Sequence, residues 1–564
     1  MTTRWPLVGR GDRIVGAPFA SRGAVMARNG AAATSHPLAT QTAIDILKSG
    51  GSAMDAAIAA NLVLGVVEPT GAGPGGDLFA LVWEPGDDAP HAYNGSGRSP
   101  RALTYETAKS RVQANGYLPR VGAVSVSTPG AVDGWFALHA RFGRAPIADL
   151  FAPAIACARE GFVVTPLIAT YWRTFLKSVI TSGVVEETAN AFATFGAGGL
   201  GPAAGDVWCN PDLAATYECL ASGGRDEFYN GGIARTIANY MGRIGGWLGA
   251  EDLAGHVGDW VEPLSTAYRG YDVWQIGGNT QGVAVLEMLN LMERFHLVSM
   301  GAGSADAIHV MIEAKKIAFA DRARHLGDPA FAPSRDRTLM SKTYAEGRAA
   351  EIRTDHAALA VEAGAPPARA DTVYLTTADR DGMMVSLIQS NYFMMGSGLV
   401  PDGLGFMLQN RGAMFSFEDG HANRYAPGKR PMHTIIPGFA SRQGEPWLSF
   451  GVMGGAMQAQ GQVQILSNLI DFGMGVQEAG DAARWQHYGS GTADDPALPF
   501  GGEVTLESGF DPAVIETLRA RGHTIAPSRP LSGYGGYQAI LRDPATLAYH
   551  AATEMRFDGA AGGY

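Results

Sequence analysis

Residues 371–390, DTVYLTTADRDGMMVSLIQS, restrict the fold of this chain more than any other segment. Asp371 to Thr377 is rich in β-branched and aromatic residues and reads as a strand. Asp379-Arg380-Asp381-Gly382 supplies turn chemistry, with Asp-Gly as the strongest cue. Met383 to Ser390 is a second strand. Folded about that turn, the two strands set Thr372 opposite Gln389, Ser390 or Asn391, depending on turn type. The preceding stretch, 351–370, is Ala-rich and carries Pro366-Pro367, so its end reads as an exposed linker. An exposed linker that stops abruptly at a strand-initial Thr marks a processing point.

Helices and further strands surround this hairpin. Ala39 to Lys48 reads as a helix stopped by Gly50-Gly51. A second helix starts at Ser52-Ala53-Met54-Asp55, which has the pattern of a capping box. Its Ala53, Ala56, Ala57 and Ala60 form a small-residue face suited to close packing. Leu78 to Trp83 is expected as a buried strand, and residues 145–161 and 305–322 as helices. Between these elements, GAGPGG at 71–76 imitates a dinucleotide-binding fingerprint. Its glycines precede a strand instead of joining strand to helix, and Pro74 interrupts them, so that function is set aside. Asp379 and Asp381 read as turn residues, and neither a metal nor a cofactor is expected.

Composition narrows the class. The 564 residues suggest three or four domains at about 150 each, although a large layered α/β fold can exceed that figure as one unit. Charged residues are 17% of the chain, below the usual value of about 25%, which calls for a large interior or interface. Net charge is −11 with no basic run, which argues against a nucleic-acid partner. The three cysteines, Cys157, Cys209 and Cys219, fit neither a disulfide framework nor a thiolate metal site. They suit a reducing compartment. The first residues lack a signal-like apolar run, and no stretch is long and apolar enough for a membrane helix. A cytoplasmic enzyme with no membrane partner is expected.

The hairpin segment resembles the point at which γ-glutamyltransferase precursors cut themselves and expose a catalytic threonine. Other blocks agree, in the same order, over nearly the whole chain. They are SHPLATQTAIDILKSGGSAMDAAIAANLVLGVVEP at 35–69, STPGAVDGW at 127–135, EAKKIAFADRARHLGDPAF at 313–331, GKRPMHT at 428–434 and GVMGGAMQAQG at 451–461. The resemblance implies an α/β N-terminal-nucleophile hydrolase fold, a four-layer αββα sandwich. It implies a cut between Asp371 and Thr372, leaving a large subunit (1–371) and a small subunit (372–564) together as one domain. That heterodimer can pair further as a dimer of heterodimers. Thr372 becomes the nucleophile. The chemistry is sound apart from the resemblance, because an N-terminal Thr carries its own α-amine, with an ordinary pKa of about 7.7–8, to take the hydroxyl proton. Ser390 matches a family hydroxyl that bonds to the nucleophile, and Gly454 and Gly455 match the paired glycines whose amides form an oxyanion hole.

The sequence also departs from the family. The Arg that holds a γ-glutamyl α-carboxylate aligns with Ser96, while Arg98 lies two residues on; a strand-like offset of two would keep it on the same face. Met414 stands where an acidic lid residue binds the α-amine, and Arg411 where the family has Gln. Tyr392 replaces an Asn, and His433 and Thr434 replace paired serines. An ammonium group would be costly to bury among these residues. The expected substrate is therefore a small amide whose acyl group lacks an α-amine, with a carboxylate that Arg98 or Arg411 would hold. This pattern resembles the branch of cephalosporin and glutaryl acylases and oxamate amidohydrolase. The competing expectations are a true γ-glutamyl transpeptidase or glutathione hydrolase, and a non-catalytic relative acting as a binding protein.

Overall fold

The computed structural model describes residues 17, 19–360, 372–489, 493, 498–528 and 533–564. Two seven-stranded antiparallel sheets form its centre. The first runs Ala560–Gly563, Ala31–Thr34, Val373–Ala378, Met384–Ser390, Asp77–Trp83, His91–Asn94 and Asp259–Val261. The second runs Val25–Ala27, Tyr549–Thr553, Tyr537–Arg542, Glu445–Val452, Gly438–Arg442, Tyr271–Gln275 and Leu264–Tyr268. Each sheet has a helical layer on its outer face, so three apolar cores result: two between sheet and helices, and one between the sheets.

The hairpin shows how the sequence assigns these layers. Strand side chains alternate between faces. Val373 and Leu375 enter the helix-side core, whereas Tyr374 and Ala378 enter the inter-sheet core. On the partner strand, Val385 and Leu387 face the helices, and Met384 and Ile388 face the second sheet. Burying a large apolar side chain contributes roughly 1.5–3 kcal/mol, so a one-residue slip that exchanged the two sets would be heavily penalised. The turn is set by Asp379, whose Oδ1 accepts the N–H groups of Asp381 (3.0 Å) and Met383 (3.1 Å), and by Gly382 at φ +100°.

The expected helices form with small changes at their ends. The first is Pro37–Lys48; it starts before Ala39 because Pro37 suits a first helical position and His36 Nδ1 accepts the Leu38 N–H at 3.2 Å. The second, Ala53–Val67, has its capping box: Ser52 Oγ accepts from Asp55 N–H (3.1 Å) and Asp55 Oδ2 from Ser52 N–H (2.8 Å). The later pair are Ile147–Glu160 and Ala305–His325. GAGPGG at 71–76 wraps the open end of the hairpin. A Cβ on Gly71 would meet the Thr372 carbonyl carbon at 3.2 Å, one on Gly75 would overlap Met407 O, and one on Gly76 would meet Ser390 O at 2.7 Å. These glycines permit backbone contact, which explains their resemblance to a nucleotide loop.

Residues 351–360 are mostly exposed but anchored at several points. Ile352 and Ala357 are buried. Arg353 O lies 2.6 Å from His309 Nε2, Ala358 N–H donates to Glu313 Oε2 (3.0 Å), and Lys316 Nζ donates to Ala358 O (2.9 Å). Residues 361–371, including Pro366, Pro367 and the Asp371 side of the expected cut, lie outside the described residues.

Candidate active site

Thr372 precedes the strand Val373–Ala378 and is 2% exposed. The ladder pairs Val373 with Gln389, so the next step sets Thr372 opposite Ser390, and Ser390 in turn pairs with Asp77. Directly opposed residues share a face, so a row of Thr372, Ser390 and Asp77 crosses three strands on the side facing the second sheet. Thr372 Oγ1 donates to Ser390 Oγ at 3.2 Å. Ser390 Oγ also accepts the Tyr392 N–H at 2.8 Å. Tyr392 makes that bond from a left-handed conformation, φ +79°, which is strained for a bulky residue.

The second sheet contributes the other wall. Gly454 and Gly455 link the strand Glu445–Val452 to the helix Met457–Ile470. Both have positive φ, +108° and +60°, and both carbonyls open the helix by accepting from Met457 (3.0 Å) and Gln458 (3.1 Å). Among the described residues, no group accepts a hydrogen bond from either glycine N–H. In the first turn of the helix, Gln458 Nε2 reaches Thr372 Oγ1 at 3.5 Å, while its Oε1 accepts the Ile436 N–H at 3.0 Å. That backbone donor fixes which end of the amide faces Thr372.

Tyr392, Arg411, His433 and Thr434 are all buried around this row. The Arg411 guanidinium donates to Thr434 Oγ1 (3.0 Å) and lies over the Tyr392 ring, 4.3 Å from its centroid. His433 Nε2 lies 3.1 Å from Asp77 Oδ2. Burial and the neighbouring Arg411 cation lower the His433 pKa to about 4 against the pull of Asp77, so the ring is neutral at neutral pH. Asp77 Oδ1 accepts from Gly97 (3.0 Å), Gly130 (3.0 Å) and Gln409 Nε2 (2.8 Å), which fixes the carboxylate. Met414 packs with Tyr392 and Met432 in an apolar cluster and offers no carboxylate.

Arg98 is not drawn into this cluster. The strand His91–Asn94 ends before it, so the two-residue offset that would keep a side chain on the same face does not apply. Arg98 instead lines a cavity of about 510 Å³ with Asp259, Asp328 and Arg430. Ser96 Oγ is bonded to Asn94 Oδ1 at 2.6 Å.

Four residues that the sequence did not single out complete the site: Asp77, Gln281, Arg322 and Gln458. Gln281 Nε2 donates to Thr434 O (2.5 Å) and Gly455 O (3.0 Å), tying the arginine-side segment to the glycine turn. Arg322 NH1 donates to Gln281 Oε1 at 2.5 Å and stacks on Phe319. Arg322 lies in the last turn of the helix Ala305–His325 and is buried, where a charge needs a dedicated partner. For metals, two groups among the described residues bring three donor atoms within 4.8 Å: His309, Glu313 and His523, and Glu84, Asp87 and His91. In the buried trio, the two imidazoles bond to each other (2.8 Å) and Glu313 pairs with Lys316 (2.8 Å), so the donors are already engaged.

Two facing antiparallel sheets between helical layers, with a buried hydroxyl pair at the open end of the central hairpin, define an enzyme of the N-terminal-nucleophile hydrolase fold. The chain belongs to the gamma-glutamyltranspeptidase family, whose model matches residues 39–564, and is an amidohydrolase or acyltransferase of that family. It is 34% identical over 529 residues to the glutathione hydrolase-like YwrD proenzyme of Bacillus subtilis, covering 94% of this chain and 97% of that one. The oxamate amidohydrolase proenzyme of Klebsiella pneumoniae is 34% identical over 544 residues, covering 95% and 98%. The crystal structure of cephalosporin acylase from Bacillus halodurans superposes with a TM-score of 0.89 at 41% identity, covering 98% and 99%.

Proposed function

We propose that the chain is a precursor that cuts itself between Asp371 and Thr372 and hydrolyses a small amide through an acyl-Thr372 intermediate. The observation that carries this reading is the placement of Thr372: its hydroxyl bonds to Ser390 on its own hairpin and faces Gln458, beyond the Gly454–Gly455 turn of the opposite sheet. In the mature enzyme the free α-amine of Thr372 takes the hydroxyl proton as Oγ attacks the amide carbonyl. The Gly454 and Gly455 amides receive the developing oxyanion. The amine proton passes to the leaving nitrogen, and water then releases the acyl group. The relatives named above as proenzymes support processing into two chains, here 1–371 and 372–564, held together by the shared first sheet.

The acyl group carries a carboxylate and no α-amine. The Arg411 guanidinium, oriented by Thr434 and the Tyr392 ring, is joined to the hydroxyl row through Tyr392, whose N–H donates to Ser390, and Met414 supplies no carboxylate at the lid position. The names of relatives that act on oxamate or cephalosporins agree with such a substrate. A γ-glutamyl substrate is the alternative, supported by relatives named as glutathione hydrolases. No described helix is long and apolar enough to cross a membrane, and Cys157, Cys209 and Cys219 are free thiols, which supports a cytoplasmic site of action.

N-terminal sequencing of the purified protein tests the cut; a small chain beginning at Thr372 is expected, and an active enzyme with an unbroken 371–372 bond removes the proposal. Thr372→Ala should abolish both processing and turnover. A side-by-side assay of glutaryl and γ-glutamyl p-nitroanilides tests the substrate class, and preference for the γ-glutamyl compound overturns it.

A further inference from the structure

We infer that Gln458 is a catalytic residue whose amide N–H stabilises Thr372 Oγ as the leaving group when the acyl-enzyme is hydrolysed. This rests on the acyl-Thr372 reading. Three observations carry it. Gln458 is fully buried, in the first turn of the helix that begins at the Gly454–Gly455 turn. Its Oε1 is committed to the Ile436 N–H, so Nε2 is the end aimed at Thr372 Oγ1. The other side of that oxygen faces Ser390 Oγ, which the Tyr392 N–H holds in place. The nucleophile therefore has a hydroxyl on one side and a fixed, neutral amide donor on the other.

The two half-reactions use that donor differently. In acylation, the hydroxyl proton moves to the α-amine while Oγ forms a bond to the acyl carbon. An N–H donor on an attacking oxygen withdraws electron density, so it gives no help there. In deacylation, water attacks the acyl carbon and gives its proton to the α-amine. The C–Oγ bond then breaks, its electron pair goes to Oγ, and the ammonium proton follows. Charge develops on Oγ in that step, where a preorganised donor in a dry site is most effective. Its distance of 3.5 Å is long for a hydrogen bond to a neutral hydroxyl and shortens as the oxygen becomes anionic.

Gln458→Glu, which keeps shape and the acceptor for Ile436 N–H, and Gln458→Leu, which removes the polar end, test the inference. With glutaryl p-nitroanilide mixed rapidly with processed enzyme, both variants should release nitroaniline in a burst of about one equivalent. A steady rate lower by about 10²-fold should follow, the scale of losing one oxyanion-type donor. Intact mass of the small chain should show the glutaryl adduct. Single-phase release with kcat and kcat/KM falling together, or turnover at the wild-type rate, overturns the inference. Self-cleavage through an ester at Thr372 uses the same leaving oxygen. If a variant stays uncut, hydroxylamine should split it at that ester; an uncut chain resistant to hydroxylamine also overturns the inference. Wild-type enzyme that is uncut and inactive would instead refute the acyl-Thr372 reading itself, before any variant is compared.

Discussion

Thr372 and Ser390 stand opposite one another at the open end of one hairpin, with 3.2 Å between their hydroxyl oxygens, one step beyond the Val373–Gln389 pair. The turn residues fix this register twelve residues or less from either hydroxyl, and the alternation of the two strands points both side chains between the sheets. Ser390→Ala removes the partner of the nucleophile and leaves the Tyr392 N–H without its acceptor. The expected result is a kcat lower by roughly 10²-fold, in the range for a positioned group near a reacting atom, with Ser390→Thr retaining most activity. Equal activity in the alanine and threonine variants would remove Ser390 from the mechanism.

Gly454 tests the second wall. Its φ of +108° is a conformation that L side chains rarely adopt, and a Cβ would press on two backbone atoms, Gly533 O and Gly535 Cα, each at a tight 3.3 Å. Gly454→Ala therefore acts through backbone strain of about 1–3 kcal/mol, relieved by turning the peptide away. Steady-state kinetics should show kcat reduced about 10²–10³-fold with KM little changed, the signature of an interaction made in the transition state. A change in KM alone would mean that the turn shapes the pocket and does not bind the oxyanion.

Much of this arrangement is legible in the sequence, and the division between what is and what is not has physical causes. The hairpin, the capping box at Ser52 and the buried strand after 77 depend on local chemistry, and each formed within two residues of its expected limits. The face of Arg98 does not follow from strand alternation, because the strand ends at Asn94. Gln281, Arg322 and Gln458 were missed because their roles exist only between distant segments: Gln281 bonds to residues 153 and 174 positions away. No spacing rule reports such a bond.

Arg411 separates substrate classes. It is fully buried and oriented by Thr434 and Tyr392. A carboxylate held there gains charge-assisted hydrogen bonds worth about 1.5–3 kcal/mol. Arg411→Gln should lower kcat/KM for glutaryl p-nitroanilide by about 10–10²-fold and leave an uncharged acyl anilide of equal length unaffected or improved. Arg411→Lys should not restore the loss, because an ammonium lacks the planar fork and stacks poorly on Tyr392. Parallel losses on both substrates would make Arg411 a structural residue of the turn Arg411–Met414.

His433 links the site to acid stability. Its pKa is about 4 in the folded chain, because burial and the Arg411 cation outweigh Asp77, against about 6.5 when unfolded. Between those values the unfolded state holds a proton that the folded state lacks. Stability contributed by this residue is therefore present above about pH 6.5, falls as pH drops through the window, and levels off below about 4. The slope is about 1.4 kcal/mol per pH unit, or roughly 2 kcal/mol between pH 7 and 5. Buried Glu287, whose raised pKa has the opposite linkage, acts on the same measurement, so the test must be a difference. Urea unfolding of wild type and His433→Gln at pH 7, 6 and 5 isolates the one histidine. Wild type should lose more stability on acidification than the variant, by that amount. Parallel pH profiles would show that His433 titrates alike in both states, with Asp77 holding the ring proton against burial and the Arg411 cation.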